Sequence, residues 1–470
     1  METGFKMPHE FALSIGESFA ELLAYSADPA QATYRSRWYL PRKGVGDGLK
    51  EALKSLSIDE TNEPSIRLTV ATSAVERILA QDQGRPPALL VNAGFEGSAH
   101  LLNQFITPQF SFRSERRPLP IDNNLVFGVS GKIAPDGSEL APLRLEDLEQ
   151  IVAKLELVNV RDVAIAFLHS TANPKHELQA AEFLRERGLR PFLSHAMEGT
   201  DKKRRAIEAA FAESAVIEEK EEIENALKPF VREWRVVGAN GLKEWHHYSA
   251  ATIRGGLNHA LRKLASLEDG IVIHCGLDEF EVYVAGPERH LVTSRIRPTQ
   301  MVVHGTWPFP YFSETACDYA PGPMLFGKSQ VLAAVDTLFV CQHLKEIMGF
   351  TPLINEKSRP RILEALFTLA KSSDTAAKPE PIEVAQSLVR AFVEQVAVKL
   401  QLSLHEGALA QANSEVQLIG PLAETMRPLL TERRPDLKFV CTPDASWGET
   451  FAVAKACESR NGKSATESFG

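Results

Sequence analysis

Long apolar runs, cysteine pairs and an excess of basic residues are all missing from this chain of 470 residues. No stretch approaches the roughly 18 consecutive apolar residues that a membrane-spanning helix needs, so no membrane partner is expected. The five cysteines, Cys275, Cys317, Cys341, Cys441 and Cys457, are odd in number and widely spaced, with no Cys-x-x-Cys pair. That pattern fits neither a zinc ribbon nor a disulfide framework. Reduced thiols in a cytoplasmic protein, and no bound metal, are the expectation. A net charge of -9 lacks the clustered basic face that nucleic acid requires. The basic runs at 202–205 and 113–117 have acids nearby and read as solvated surface. The first ten residues hold no apolar segment of the kind a secretory signal uses.

What is present is ordinary globular material, 44% hydrophobic and 24% charged, enough for two or three domains at roughly 150 residues each. Two stretches share one plan. Residues 10–25 read as strand, glycine turn at Gly16-Glu17-Ser18, and strand, followed by a polar turn and a third strand at Thr33 to Leu40. Residues 270–285 repeat it, with a turn at Gly276-Leu277-Asp278 and a third strand from His290 to Ile296. Duplicated meanders of this kind belong to a two-lobed nucleotide-binding fold whose glycine turns would hold phosphate.

Between them, strand and helix patterns alternate. Pro41 to Gly48 reads as a glycine-rich loop leading into a helix from Leu49 to Leu56. Ile66 to Ser73 reads as a strand entering a helix at Ala74 to Gln81, with Thr72 or Ser73 as its cap. A short strand to Val91, a turn at Asn92 to Gly94, and a helix at Glu96 to Gln104 follow. Then come a helix at Leu145 to Val158, a strand at Val163 to Leu168, a loop at His169 to Pro174, a helix at His176 to Arg187 and a strand at Arg190 to Ser194. This alternation predicts an α/β fold with a largely parallel sheet. The charged segment 201–233 reads as an exposed helix and hinge, and a second helix runs from Ser249 to Leu267. The expected organisation is a first lobe at 1–200, a helical hinge region at 201–267, a second lobe at 268–457, and a flexible tail at 458–470.

The runs Thr69-Val-Ala-Thr-Ser73, Ala88-Leu-Leu-Val-Asn-Ala-Gly94 and Leu168-His-Ser-Thr-Ala-Asn-Pro-Lys-His-Glu177, in this order, resemble the N-terminal half of the hydantoinase/oxoprolinase A family. The second meander, Ala320 to Pro323, Gly420 and the Ser446 to Ala454 end resemble its central and C-terminal parts. The resemblance implies an actin/hexokinase/sugar-kinase type of ribonuclease H-like fold with ATP between two lobes. It also implies ATP-dependent hydrolysis of cyclic amides or carboxylation of ketones.

The sequence departs from the family at both phosphate turns. Where the family has Asp-x-Gly-Gly-Thr, this chain has Ser14-Ile-Gly16-Glu17-Ser18 and His274-Cys-Gly276-Leu277-Asp278. The second glycine is lost each time, and Glu17 and Asp278 bring negative charge to the phosphate position. Two like charges 4 Å apart at an effective dielectric near 20 cost about 4 kcal/mol. Thus Gly16, Glu17, Ser18, Thr72, Gly276 and Asp278 form a degenerate nucleotide site. ATP and Mg²⁺ are expected in an assembled complex rather than on this chain. His169, Asn173 and His176, around the loop after a buried strand, are further candidates. His246-His247, the neighbours His274 and Cys275, the aromatic run 307–312 and Gly327-Lys-Ser329 carry weaker signals, and no catalytic residue is assigned. The expected role is that of an accessory subunit of an acetophenone- or acetone-carboxylase-like complex. Its partners would be larger hydantoinase A/B-like paralogues, and the substrate a small ketone. The alternatives are a hydrolase of a cyclic amide and a non-catalytic regulator.

Overall fold

The computed structural model describes residues 9–26, 28–56, 65–99, 119–198, 201–267, 270–277, 280–285, 291–296, 303–304, 311–312, 324–326, 332–341, 358–371, 379–406, 415–441 and 445–458. The chain opens with the strands β1 (Glu10–Ile15), β2 (Phe19–Tyr25) and β3 (Tyr34–Tyr39), then α1 (Leu40–Ser55), β4 (Ile66–Thr72) and α2 (Ala74–Gln81). An inserted subdomain follows: β5 (Ala88–Asn92), β6 (Val126–Val129), the short pair β7 (Lys132–Ile133) and β8 (Glu139–Ala141), α3 (Leu145–Leu157), β9 (Asp162–Ile165), α4 (Lys175–Arg185) and β10 (Arg190–Leu193). The chain then returns through α5 (Lys202–Leu227), β11 (Val231–Gly238), β12 (Gly241–Glu244), α6 (Ala250–Ile253) and α7 (Gly256–Leu267). The second part is β13 (Ile271–Cys275), β14 (Phe280–Ala285), β15 (Leu291–Ile296), the two-residue strands β16 (Val303–His304) and β17 (Tyr311–Phe312), α8 (Ala334–Val340), α9 (Ser358–Lys371), α10 (Pro381–Glu406), β18 (Glu415–Ile419), α11 (Ala423–Arg433), β19 (Lys438–Cys441) and α12 (Gly448–Glu458).

The two large sheets have the same strand order. In the first it is β12-β11-β4-β1-β2-β3, and in the second β15-β14-β13-β18-β19. In each, the first strand pairs antiparallel with the second and parallel with the fourth. The meander arises because each hairpin is buried on both faces. β2 is buried at every position and β13 likewise, so both strands read as continuous apolar runs rather than alternating ones. The molecule is therefore α/β, with two ribonuclease H-like lobes. A core between the two sheets is built by α7 and α12: Leu257, Leu261, Ala452 and Val453 pack with Ala12 and Ala71 of one sheet and Val272 and Tyr283 of the other. The inserted sheet, β10-β9-β5-β6, is parallel throughout and has its own core under α3 and α4.

Four expectations need correction. Pro41 to Gly48 is not a loop but the start of α1, broken only at Gly44 (φ 68°). A side chain at Gly48 would run into the Trp38 ring, so this glycine serves close packing rather than flexibility. Residues 202–227 are not an exposed hinge. They form a core helix of the first lobe, burying Ala206, Ile207, Ala209, Ala210 and Phe211, and the strand that follows, β11, pairs with β4. Three of its acids are internal, Glu208, Glu213 and Glu219: Glu208 meets Arg254, and Glu219 meets Arg77. The helix expected from Ser249 to Leu267 is two helices, interrupted at Gly255 (φ 75°). Finally, Glu96–Ala99 is a 3₁₀ turn, and the rest of the helix expected there lies outside the described residues. No described helix is long and apolar enough to cross a membrane.

Candidate functional site

The two glycine turns face one another across a narrow cleft of about 40 Å³ between the lobes, whose lining includes Gly16, Glu17, Glu21, His274, Gly276 and Glu449. Position follows from topology: β1, β4 and β13 all run parallel within their sheets and end at this edge, where open α/β sheets bind ligands. Four of the expected residues behave as follows. Gly16, Glu17 and Gly276 line the cleft; Ser18 is buried away from it. Thr72 is also buried, its hydroxyl donating to Glu219 Oε1 (3.0 Å) and accepting from the Ala74 N–H (3.0 Å) at the start of α2. Its neighbour Ser73 reaches the cleft instead. Asp278 lies outside the described residues. Neither Glu17 nor Leu277 takes a positive φ, and the Leu277 side chain is buried where the family has a second glycine.

Two further residues dominate the cleft, Glu21, a candidate Mg²⁺ ligand by sequence, and Glu449, which the sequence does not mark. Glu21 on β2 is buried and paired with Arg37 of β3, directly opposite it in the ladder, at 2.6 Å from Nε. Thr450 of α12 donates its hydroxyl to the other oxygen of the same carboxylate. Burial raises the pKa of Glu21; Arg37 opposes that shift and Glu449 adds to it. Glu449, in the first turn of α12, takes one oxygen to within 2.9 Å of His274 Nε2. Its other oxygen lies 3.6 Å from where a side chain on Gly16 would begin. The carboxylates of Glu17, Glu21 and Glu449 therefore converge on the place where the family turn would cradle phosphate.

The duplication extends to these residues. Ser14 lies opposite Glu21, which lies opposite Arg37; in the second lobe His274 lies opposite Glu281, which lies opposite Arg295. A glutamate on the middle strand and an arginine on the outer strand thus occur in both meanders, while the inner strand carries Ser14 in one and His274 in the other. The unequal loop lengths hide this repeat in the sequence, because Arg37 follows its glutamate by two residues more than Arg295 does. His274 and Cys275 diverge as strand neighbours must: His274 meets Glu449, while Cys275 enters the second-lobe core, where burial raises its thiol well above the ordinary value. Gly420, with φ 98°, sits so close to the Cys275 carbonyl that an added Cβ would be 2.7 Å from it.

The loop candidates of the inserted subdomain do not converge. His169 is exposed, with a φ of 60° uncommon for a non-glycine residue. His176 is buried on α4, 2.9 Å from Glu139. Asn173, just ahead of α4, accepts from the Lys175 N–H (3.0 Å) and donates to the Gly137 carbonyl (2.8 Å). What the loop does assemble is a residue the motif contained but did not single out. Glu177, fully buried, accepts from the Phe167 N–H (3.1 Å), the Ser194 hydroxyl (2.6 Å), the His195 N–H (3.0 Å) and His195 Nδ1 (2.6 Å). An ionised carboxylate only accepts, so Nδ1 carries the proton and Nε2 is left as the basic nitrogen. The one sequence signal for His195 was its place at the carboxyl end of a parallel strand. His246 and His247 stack on each other at an exposed turn. Among the described residues no group of three or more His, Cys, Asp or Glu is arranged to hold a metal. The run 307–312, apart from the backbone of β17, and Gly327 to Ser329 lie outside the described residues.

Residues 30–188 match the hydantoinase/oxoprolinase N-terminal region. The chain is 24% identical over 181 residues, 38% of its length, to an uncharacterized protein of Methanocaldococcus jannaschii. It is 31% identical over 123 residues, 24% of its length, to the acetophenone carboxylase gamma subunit of Aromatoleum aromaticum. These matches span only 26% and 17% of the two relatives. Among solved structures, a nucleotide-free acetone carboxylase superposes with a TM-score of 0.69 at 13% identity, covering 95% of this chain and 70% of that one. An ATP-dependent caprolactamase from Pseudomonas jessenii gives 0.65 at 15% identity, covering 94% and 70%. At these identities the likeness is one of fold.

Proposed function

We propose, from the premise that this chain belongs to the hydantoinase/oxoprolinase family, that it is an accessory subunit of an ATP-dependent ketone carboxylase complex. In that assembly larger paralogous subunits bind the nucleotide. The observation that carries this reading is the carboxylate of Glu449 seated beside Gly16, with Glu17 and Glu21 in the same cleft. Residues fit for Mg·ATP would present backbone N–H groups, small side chains and a free metal-binding carboxylate. Here Arg37 and Thr450 occupy Glu21, and His274 occupies Glu449. The carboxylates of the cleft disfavour a triphosphate there. No step is therefore routed through nucleotide on this chain. The match to an acetophenone carboxylase gamma subunit supports the choice of partner.

Two measurements test the reading. Calorimetry of the isolated chain with Mg·ATP is expected to give no saturable heat at micromolar concentrations. Reconstituting the complex with and without the chain is expected to change ketone-dependent ATP hydrolysis severalfold. Full carboxylation without it would end the proposal. A second reading, hydrolysis of a cyclic amide, draws support from His195, which Glu177 holds as a fixed base of the kind that deprotonates water. It predicts lactam- or hydantoin-dependent turnover by the isolated chain, lost in His195→Gln.

A further inference from the structure

The cleft between the glycine turns is filled by the chain itself. Its free volume of about 40 Å³ has room for a few waters, at roughly 15 Å³ each, and none for a nucleotide. What closes it is the stretch 445–450, which leads from the second lobe into α12. The Ala445 carbonyl accepts the Gly420 N–H at 2.6 Å, and Gly448 lies so near the end of β18 that an added Cβ would be 2.6 Å from the Ile419 Cβ. These contacts fix the stretch to the second lobe. The Ser446 carbonyl accepts from Arg37 of β3 in the first lobe, whose guanidinium lies 4.4 Å from the Trp447 ring. Glu449 turns back to His274 of the second lobe at 2.9 Å, with its other oxygen against Gly16 of the first. Thr450 then donates its hydroxyl to Glu21 of the first lobe.

Helix geometry explains the alternation. Successive residues of an α-helix point about 100° apart, so a first turn lodged at a junction sends Glu449 to one wall and Thr450 to the other. The partners are shielded from water: Glu21 is 4% exposed and His274 2%. Hydrogen bonds in such surroundings are stronger than in water and specify a single arrangement.

Hinged two-lobe proteins close around a bound ligand, whose contacts with both walls hold them shut. Here a carboxylate of the chain already spans the walls, bonded to His274 on one and seated against Gly16 on the other. We propose that residues 446–450 are an internal clasp in the place of a nucleotide, and that it keeps the two lobes closed with no ligand bound. The proposal rests on the reading that nucleotide binds to other subunits. It adds that this chain has no opening and closing cycle of its own and enters an assembly as one rigid body.

The test is amide hydrogen exchange, read by mass spectrometry, with small-angle X-ray scattering on the full chain. In the wild type, Gly16 to Phe19 and Cys275 to Leu277 are expected to exchange slowly, and the radius of gyration to stay fixed when Mg·ATP is added. Glu449→Ala with Thr450→Val removes both side-chain bonds of the clasp and keeps α12, since alanine is the best helix former and valine is close to threonine in helix propensity. This double substitution is expected to speed exchange at both turns together by about tenfold and to enlarge the radius of gyration. Exchange in β5 and β9 of the inserted sheet is expected to stay unchanged, which separates opening of the lobes from unfolding. Glu449→Gln, which can still bond His274, is expected to retain most of the protection. Faster exchange confined to α12, or turns unmoved by the double substitution, would overturn the clasp, as would unprotected turns in the wild type. These rates are read on the isolated chain, so they stand or fall apart from whether a carboxylase complex needs it.

Discussion

The two hairpins start from the same plan and end with different electrostatics. In the first, Glu21 is clamped between Arg37 and Thr450, and Arg37 also reaches the Ser446 carbonyl and covers the Trp447 ring at 4.4 Å. In the second, Glu281 receives the Tyr283 hydroxyl, while His274, opposite it in the ladder, turns to Glu449. The inner strands carry Ser14 and His274, and both meanders have a buried carboxylate one strand over. In the first lobe that carboxylate holds α12 in place. The first hairpin is a structural joint.

The largest expected effect breaks that joint. Arg37→Ala leaves Glu21 as a buried, poorly matched charge and should cost about 3–5 kcal/mol in urea-unfolding free energy. Glu281→Gln, whose carboxylate is held by a neighbouring hydroxyl, should cost about 1–3 kcal/mol. Equal losses would mean the two hairpins are energetically alike.

Next in size is a pH effect, for which each lobe holds a buried carboxyl group pushed up to about 7. Burial pushes Glu213 in the first lobe up to about 7, against the pull of the Ala250 N–H. Asp336 in the second is likewise pushed up to about 7 by burial, although three backbone N–H groups hold it. A raised pKa means that the folded state keeps a proton the unfolded chain gives up. The stabilisation is complete below the unfolded pKa and lost as pH rises toward 7. Between pH 4.5 and pH 7 the loss from Glu213 should be on the order of 3 kcal/mol. Urea midpoints across this range should slope less in Glu213→Gln and in Asp336→Asn, and the two slopes compare the lobes directly.

Gly420→Ala attacks the second turn. It places a Cβ against the Cys275 carbonyl at a left-handed φ and should cost about 2 kcal/mol by thermal unfolding. The smallest change sharpens the comparison at the cleft itself. If negative charge is what keeps nucleotide out, Glu17→Gln with Glu449→Gln should tighten Mg·ATP binding about tenfold, some 1.4 kcal/mol. Leu277→Gly alone should change it by less than threefold. Calorimetry measures both.

The fold was legible because its signal was repetition: two apolar hairpins with glycine turns, each followed by strand–helix alternation. The errors had physical causes. The charges of 202–227 look solvated in sequence, but Glu208, Glu213 and Glu219 are satisfied from other elements, which no local pattern reveals. The glycines at 44, 46 and 48 look flexible, yet Gly46 N–H bonds Glu222 and Gly48 makes room for Trp38. At the site, Gly16, Glu17 and Gly276 were readable from the turn itself. Glu449 was not, because only the folded chain brings residue 449 to residue 16. His195 escaped for the same reason, since its partner Glu177 sits on a different element.

The seating of α12 has a consequence for how the protein is made. Its alanines pack on β1 and β4, and its first turn closes the cleft wall over Glu21, yet it begins at residue 448, long after those strands end at residues 15 and 72. A domain that ordinarily folds as it leaves the ribosome must here wait with its cleft wall uncovered and its central glutamate unclamped by Thr450 until α12 has been made. Nascent chains stalled before Gly448 should therefore carry a first lobe open to protease and to chaperone, and the release of α12 should be the event that shuts it.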